Sequence, residues 1–268
     1  MSWSDLLLVA GCALAAVVVL MVATTLWARA VGRVSVVDVA WGLGFVVVAA
    51  VAALVGSVTE ADSRRWVVLA LVAVWGGRLA WFIRKRAVGH GEDPRYEELL
   101  GGTVEQVGIG RAIRKVFVVQ GVAMWFVSLP VIMAGSQATR WWPVVAVGAG
   151  VWLVGMVFES VGDAQLAAYK ALPKDQRPPV MSTGLWRYTR HPNYFGDACV
   201  TWGLWLAGGL ASGWLAGLVT VLAPVAMTYF LVFATGARLL EQTMMQRPGY
   251  PEYAARTSMF VPLPPKRR

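Results

Sequence analysis

Charge is what this chain has least of. Only 15% of its 268 residues are Asp, Glu, Lys or Arg, where a soluble domain carries about 25%. There are 15 acidic residues and two histidines, His90 and His191. The two cysteines, Cys12 and Cys199, both sit in apolar runs. They form neither a disulfide framework nor a metal-ligand spacing, which excludes a stapled secreted scaffold and a cysteine metal centre. Internal repeats and low-complexity tracts are missing too, and so is a dinucleotide fingerprint. The "GIG" at 108–110 follows no strand and lacks the third glycine.

What remains is apolar. Hydrophobic residues make up 57% of the chain and the mean hydropathy is +0.59. A membrane-spanning helix needs about 20 mainly apolar residues. Seven runs qualify: 5–28, 34–56, 66–83, 115–134, 141–162, 192–212 and 214–238. The last two are parted only by "ASGW" and are expected to form a tight helical hairpin. The 28 glycines and 14 tryptophans suit close helix packing and interfacial belts in a bilayer. The first run holds Asp5, with no basic residue before it and no small-residue cleavage pattern after it, so it reads as a permanent helix.

The basic residues orient these runs. Twenty of the 24 fall in the links around 28–37, 84–115 and 159–191 or in the tail from 238. Only Arg64, Arg65 and Arg140 fall on the other side, and Arg78 lies inside the third run. The basic side is therefore expected to be cytoplasmic. The fold class is an all-α integral membrane protein: a seven-transmembrane helical bundle, N-terminus outside and C-terminus inside. The net charge of +9 follows from this topology and from anionic headgroups, with no nucleic acid required.

The polar clusters gather on the same side. In the 84–114 link, "DPRYEELL" predicts a short helix with Asp93 as N-cap and Pro94 in its first turn. At the end of the fifth run, Glu159, Asp163 and Lys170 share one helical face. Then comes "RYTRHPNYFGDA", residues 187–198. Pro192 fits the first turn of a helix, and free N–H groups there would face Arg187 and Arg190 just upstream, a corner suited to phosphate. Trp186, Tyr188 and Tyr194 offer flat faces; Asn193 and Asp197 offer hydrogen bonds. The tail holds Glu241, Tyr250, Tyr253 and Arg256 and then returns through "MFVPLPP", as a lid over this cluster would. Asp38 and Arg78 are ionisable groups inside apolar runs, and an ion pair between them is the structural reading.

"GLWRYTRHPNYFGD" resembles the signature of the steroid 5-alpha-reductase and sterol-reductase superfamily. "DVAWG", "GEDPRYEELL" and "FESVGDAQLAAYK" are similar to its bacterial branch, and the likeness covers most of the chain. The resemblance implies a single membrane reductase domain over 1–268. Residues 1–114 would be the substrate side and 115–268 the cofactor-binding part. NADPH would lie in a cytoplasmic cavity between helices. The cofactor-binding positions that match are Gln165, Lys170, Trp186, Arg190, His191, Asn193, Tyr194, Asp197, Glu241, Tyr250 and Tyr253. Lys170 and Arg190 would take the phosphates; Asn193, Tyr194 and Asp197 would orient ribose and nicotinamide.

The steroid enzymes polarise the enone with a glutamate in the second span and a tyrosine in the third. This chain has Asp38, displaced toward the helix end, and no tyrosine in its third run. Tyr96 in the following link is a candidate substitute, so Asp38 and Tyr96 are the candidate catalytic residues, with the proton donor left open between them. The expected reaction is hydride transfer to an activated C=C bond of a membrane lipid, without a metal, in the bacterial inner membrane. The alternative is an S-adenosylmethionine-dependent lipid or prenylcysteine methyltransferase, a class that also carries an Arg-His-Pro-x-Tyr stretch. Asn193 and "LEQ" at 240–242 favour the reductase.

Overall fold

A computed structural model describes residues 1–234 and 236–266. Arg267 and Arg268 of the basic tail lie outside the described residues. Among the described residues the chain is helical without strands, and Thr189 and Ser258 form an isolated parallel bridge.

The long helices come first: α1 (Trp3–Val31), α2 (Val36–Val55) and α3 (Arg64–Ala87). The polar link holds α4 (Pro94–Leu100), α5 (Val104–Val107) and α6 (Ile109–Ala112). A π-turn at Ile113–Phe117 leads into α7 (Val118–Val127) and α8 (Leu129–Ala134). Then follow α9 (Trp142–Ala171), α10 (Pro192–Leu204), α11 (Trp214–Thr220) and α12 (Leu222–Tyr229). The tail contains α13 (Ala237–Met244) and α14 (Tyr250–Arg256).

Among the described residues, five stretches are long and apolar enough to cross a membrane: Trp3–Val31, Val36–Val58, Arg64–Ala87, Trp142–Ala171 and Trp214–Met244. The other two apolar runs are helical but broken. Run 115–134 is interrupted at Ser128, and run 192–212 passes from α10 into a π-turn at Trp205–Gly209 and a 3-10 turn at Leu210–Ser212. Large apolar side chains face outward: Leu7, Val19 and Leu26 of α1 are 70%, 69% and 61% exposed. Water would penalise such a surface, whereas lipid is its natural solvent. This is a membrane protein.

The structure divides into two compact units. The first is Met1–Ala146 with Leu204–Ala223; the second is Val147–Gly203 with Pro224–Arg268. Residues 115–146 thus belong with the N-terminal helices, and the division is interleaved along the chain.

In the first unit, Ser2 caps α1 by accepting the Asp5 N–H at 3.4 Å. Asp5 in the first turn and Arg29 in the last both suit the helix dipole. Helices α2 and α3 cross where Gly42 meets Gly76, each lying against the other's carbonyl with no room for a Cβ. Small residues allow this backbone approach in a membrane. Arg64 at the start of α3 is fully buried. Its guanidinium donates to the carbonyls of Ala207 (3.2 Å), Gly208 (3.1 Å) and Gln137 (2.9 Å) and to Ser212 Oγ (2.8 Å). That pins the tip of the hairpin read from "ASGW", where Trp205 Nε1 also donates to the Gly217 carbonyl at 2.9 Å.

In the second unit, α9 and α10 meet through glycine. Gly155 lies against Gly196, Gly148 against Gly203, and Gly162 against Pro192. Gly148, Gly155 and Gly162 are seven residues apart, as are Gly196 and Gly203, so each set repeats on one face of its helix. Pro192 opens α10 as its ring geometry favours. The tail folds back, as expected: Arg190 N–H donates to Ser258 (2.9 Å), Leu263 N–H to Tyr188 (3.0 Å) and Lys266 N–H to Arg256 (3.0 Å), each through a carbonyl.

Candidate functional site

Each unit carries a polar site. In the first, Asp38 sits in the first turn of α2. Asp93 caps α4, accepting the Arg95 N–H at 3.0 Å, and Pro94 occupies the opening turn, as the sequence predicts. Glu92, just before that cap, accepts the N–H groups of Val34, Ser35 (3.0 Å) and Asp93 (3.0 Å). A carboxylate there satisfies orphan donors at the start of α2 and fixes α4 beside it.

The result brings Asp38 and Tyr96 together. Tyr96 is 8% exposed, and its hydroxyl donates to Asp38 Oδ1. Arg95 Nη2 lies 3.5 Å from Asp38 Oδ2 and 2.8 Å from Asp93 Oδ2. Burial first, then the Asp38 charge, pushes the Tyr96 phenol well above its ordinary range, with Arg95 working the other way. The hydrogen bond from Arg95 holds Asp93 below the usual carboxylate range against its partial burial. Tyr96 is therefore a neutral phenol whose proton is held by a carboxylate beside a guanidinium. Arg78 lies over the Phe82 ring at 5.5 Å.

In the second unit the tail and the 187–198 stretch share one network. Arg190 grips Glu241 with both prongs, Nε to Oε1 at 2.6 Å and Nη2 to Oε2 at 2.8 Å. Its Nη1 donates to the carbonyls of Ala254 (2.7 Å) and Thr257 (2.6 Å). His191 Nε2 is 3.1 Å from Glu241 Oε1, and Tyr250 donates to the same oxygen at 3.4 Å. Burial opposes charge on Arg190, but Glu241 outweighs it and raises the guanidinium. Burial, then neighbouring groups, lifts the phenols of Tyr250 and Tyr253 above their ordinary range. Both are neutral donors, and Tyr253 donates to the Trp186 carbonyl.

The remaining sequence candidates brace this corner. Trp186 is buried and donates Nε1 to the Gly162 carbonyl at 3.1 Å. Gln165 accepts the Leu185 N–H at 3.0 Å. Asn193 Nδ2 reaches Asp163 Oδ1 at 3.2 Å. Tyr194 stacks on His191, with ring centroids 5.5 Å apart and planes 9° from parallel. Asp197 is half-buried one turn further into α10, and Lys170 is exposed at the end of α9.

One expectation meets a different arrangement. Arg190, read as a phosphate ligand, has its guanidinium directed to Glu241 and two carbonyls. The unengaged cations lie beside it. A cleft of about 560 Å³ is lined by Arg187, Arg256 and Lys266, by the hydroxyl residues Ser182, Thr183, Tyr253 and Thr257, and by Gly184 and Pro265. Three cations, with no carboxylate in the lining, fit a phosphate-bearing ligand. Sequence reasoning placed Arg256 in the returning tail, counted Lys266 and Arg95 only among the basic residues that orient the chain, and passed over Glu92. The signal for Glu92 was its place directly before a helix cap. No spacing signalled Lys266. Among the described residues, no cluster of three or more His, Cys, Asp or Glu could hold a metal ion.

No curated protein and no solved structure matches the chain. One family model does, over residues 24–257, a stretch that contains both polar sites except Pro265 and Lys266. With most of its length matched, the chain belongs to the family described as protein of unknown function (DUF1295).

Proposed function

We propose that this protein is an NADPH-dependent membrane reductase acting on an activated C=C bond of a lipid. It would cross the bacterial inner membrane seven times with its basic face in the cytoplasm. The observation that carries the reading is the Tyr96–Asp38 pair: a buried phenol, 58 residues distant in sequence, bonded to a carboxylate at the start of an apolar helix. A buried phenol bonded to a carboxylate, with a guanidinium alongside, is the kind of perturbed cluster that functional sites carry. The likeness of residues 184–197 to the sterol-reductase signature supports the same reading.

Bound NADPH supplies a hydride. The chain's own groups supply the rest. Tyr96 keeps its proton until an acceptor is in place and then gives it up from Oη. One carbon of the double bond would gain the hydride and the other the Tyr96 proton, so that C=C would become CH–CH. Asp38 orients the phenol, and Arg95 offsets the negative charge left on the pair. His191 and Tyr194 offer a stacked aromatic surface, and the cation-lined cleft offers charge for phosphates. Apolar helices admit the lipid and exclude water from the hydride.

The test is thermal stability of the detergent-solubilised protein with NADPH or S-adenosylmethionine. A ligand at 100 times its dissociation constant adds about 2.7 kcal/mol when it binds only the native state. NADPH is expected to stabilise, and Tyr96→Phe to keep that stabilisation while losing reductase turnover. Stabilisation by the methyl donor alone would replace the reductase with the methyltransferase reading.

A further inference from the structure

We propose that the cleft at Arg187, Arg256 and Lys266 is a phosphate seat beside the Arg190–Glu241 network, with which it shares Thr257. Arg187 and Arg190 are three residues apart and differ in fate. Arg190 is held by a carboxylate and two carbonyls. The side chains of Arg187, Arg256 and Lys266 are exposed and make no hydrogen bond or ion pair among the described residues.

Backbone bonds bring these three cations together from separate parts of the chain. The Thr189–Ser258 bridge, Leu263 N–H to Tyr188 and Lys266 N–H to Arg256 fold the tail so that Lys266 and Arg256 face Arg187 across one cleft. Like charges gathered without an acid repel one another. A bound dianion reverses that penalty. Two guanidiniums present forked donors and the ammonium adds a point charge, a set suited to tetrahedral oxygens.

The phosphate has two possible sources: the 2′-phosphate of NADPH or the headgroup of an acidic lipid. In the first form the proposal rests on the reductase reading. The test uses the whole chain in phosphatidylcholine nanodiscs, titrated with adenosine 2′,5′-bisphosphate and with AMP. The bisphosphate is expected to bind about tenfold tighter or better, and the gap to close in Arg187→Gln and in the Arg256→Gln, Lys266→Gln double variant. A second arm replaces part of the lipid with phosphatidylglycerol. If the nucleotides fail to discriminate and only the phosphatidylglycerol stabilisation disappears in the variants, the seat stands with lipid as its source.

Lys174→Gln removes an exposed cation outside the lining and is expected to change neither arm. Equal losses in Lys174→Gln, or none in any variant, would overturn the seat. The two readings fail separately. If NADPH does not stabilise the wild type but the lipid response still depends on these cations, the reductase falls and the seat remains. If NADPH stabilises every variant equally and the lipid arm is flat, the seat falls and the reductase remains.

Discussion

At position 190 an arginine and a lysine would carry the same charge, yet only arginine can make the contacts seen. Its fork spans both Glu241 oxygens while the third nitrogen serves the Ala254 and Thr257 carbonyls. Arg190 and Glu241 side chains are 11% and 13% exposed, so a broken pair leaves a nearly buried carboxylate underserved. Arg190→Lys keeps the charge but loses the fork, and is expected to cost about 1–3 kcal/mol, read as a lower unfolding temperature in detergent. A variant as stable as the wild type would show the network to be dispensable. This residue also marks what the sequence could and could not reveal. Polar groups concentrated in a greasy chain pointed to 187–198 at once. Which of two nearby arginines was engaged and which free depended on Glu241, 51 residues away, and no local pattern encodes that. Asp38 and Tyr96 were likewise joined only by a folded link, through Glu92, whose capping bonds run to residues 34 and 35.

Elements meet here by backbone, and the α9–α10 pair shows how. Gly155 and Gly196 leave no room for a side chain between the helices, whereas Gly150, also in α9, has nothing within 4 Å of where a Cβ would stand. Gly155→Leu is expected to force the helices apart and cost about 1–3 kcal/mol. Gly150→Ala should instead be neutral or stabilise by up to about 1 kcal/mol, through helix propensity alone. Thermal unfolding of the two variants side by side checks both; equal effects would remove the distinction between the faces. The seven-residue spacing of these glycines was present in the sequence, where it read only as membrane-protein composition. The helix ends at Asp93–Pro94 and Pro192 were legible because capping chemistry is local. The break at Ser128 in run 115–134 had a local mark, Pro130 in the first turn of α8, which the apolar count passed over; the π-turn in run 192–212 had none, because one extra residue in a turn does not show in a continuously apolar stretch.

Across the whole molecule, acid stability should track the half-buried carboxylates at helix starts. Asp62 accepts from Thr139 and from the Arg64 N–H, and these bonds hold it below its ordinary value of 3.8 although burial works against them. Asp93 is lowered likewise by Arg95. A carboxylate depressed on folding adds stability above its unfolded value and loses it as the pH falls through the folded one. The unfolding temperature is therefore expected to hold down to about pH 4 and to decline below it. Asp62→Asn with Asp93→Asn should start lower and decline less; an unchanged acid profile would assign the loss to other groups. The membrane character and the helical class were readable from composition alone. The interleaving of the units was not, since it arises from which helices pack together and not from any shift in composition along the chain. The returning tail carries a consequence for biogenesis. Ribosomal synthesis runs from the first residue onward, so the long helices can enter the bilayer and zip together while the last wall of the cation-lined cleft is still unmade. Ligand capture then waits until residue 266 has emerged and docked, and a newly inserted molecule passes through a stage in which its scaffold is complete but its grip is not.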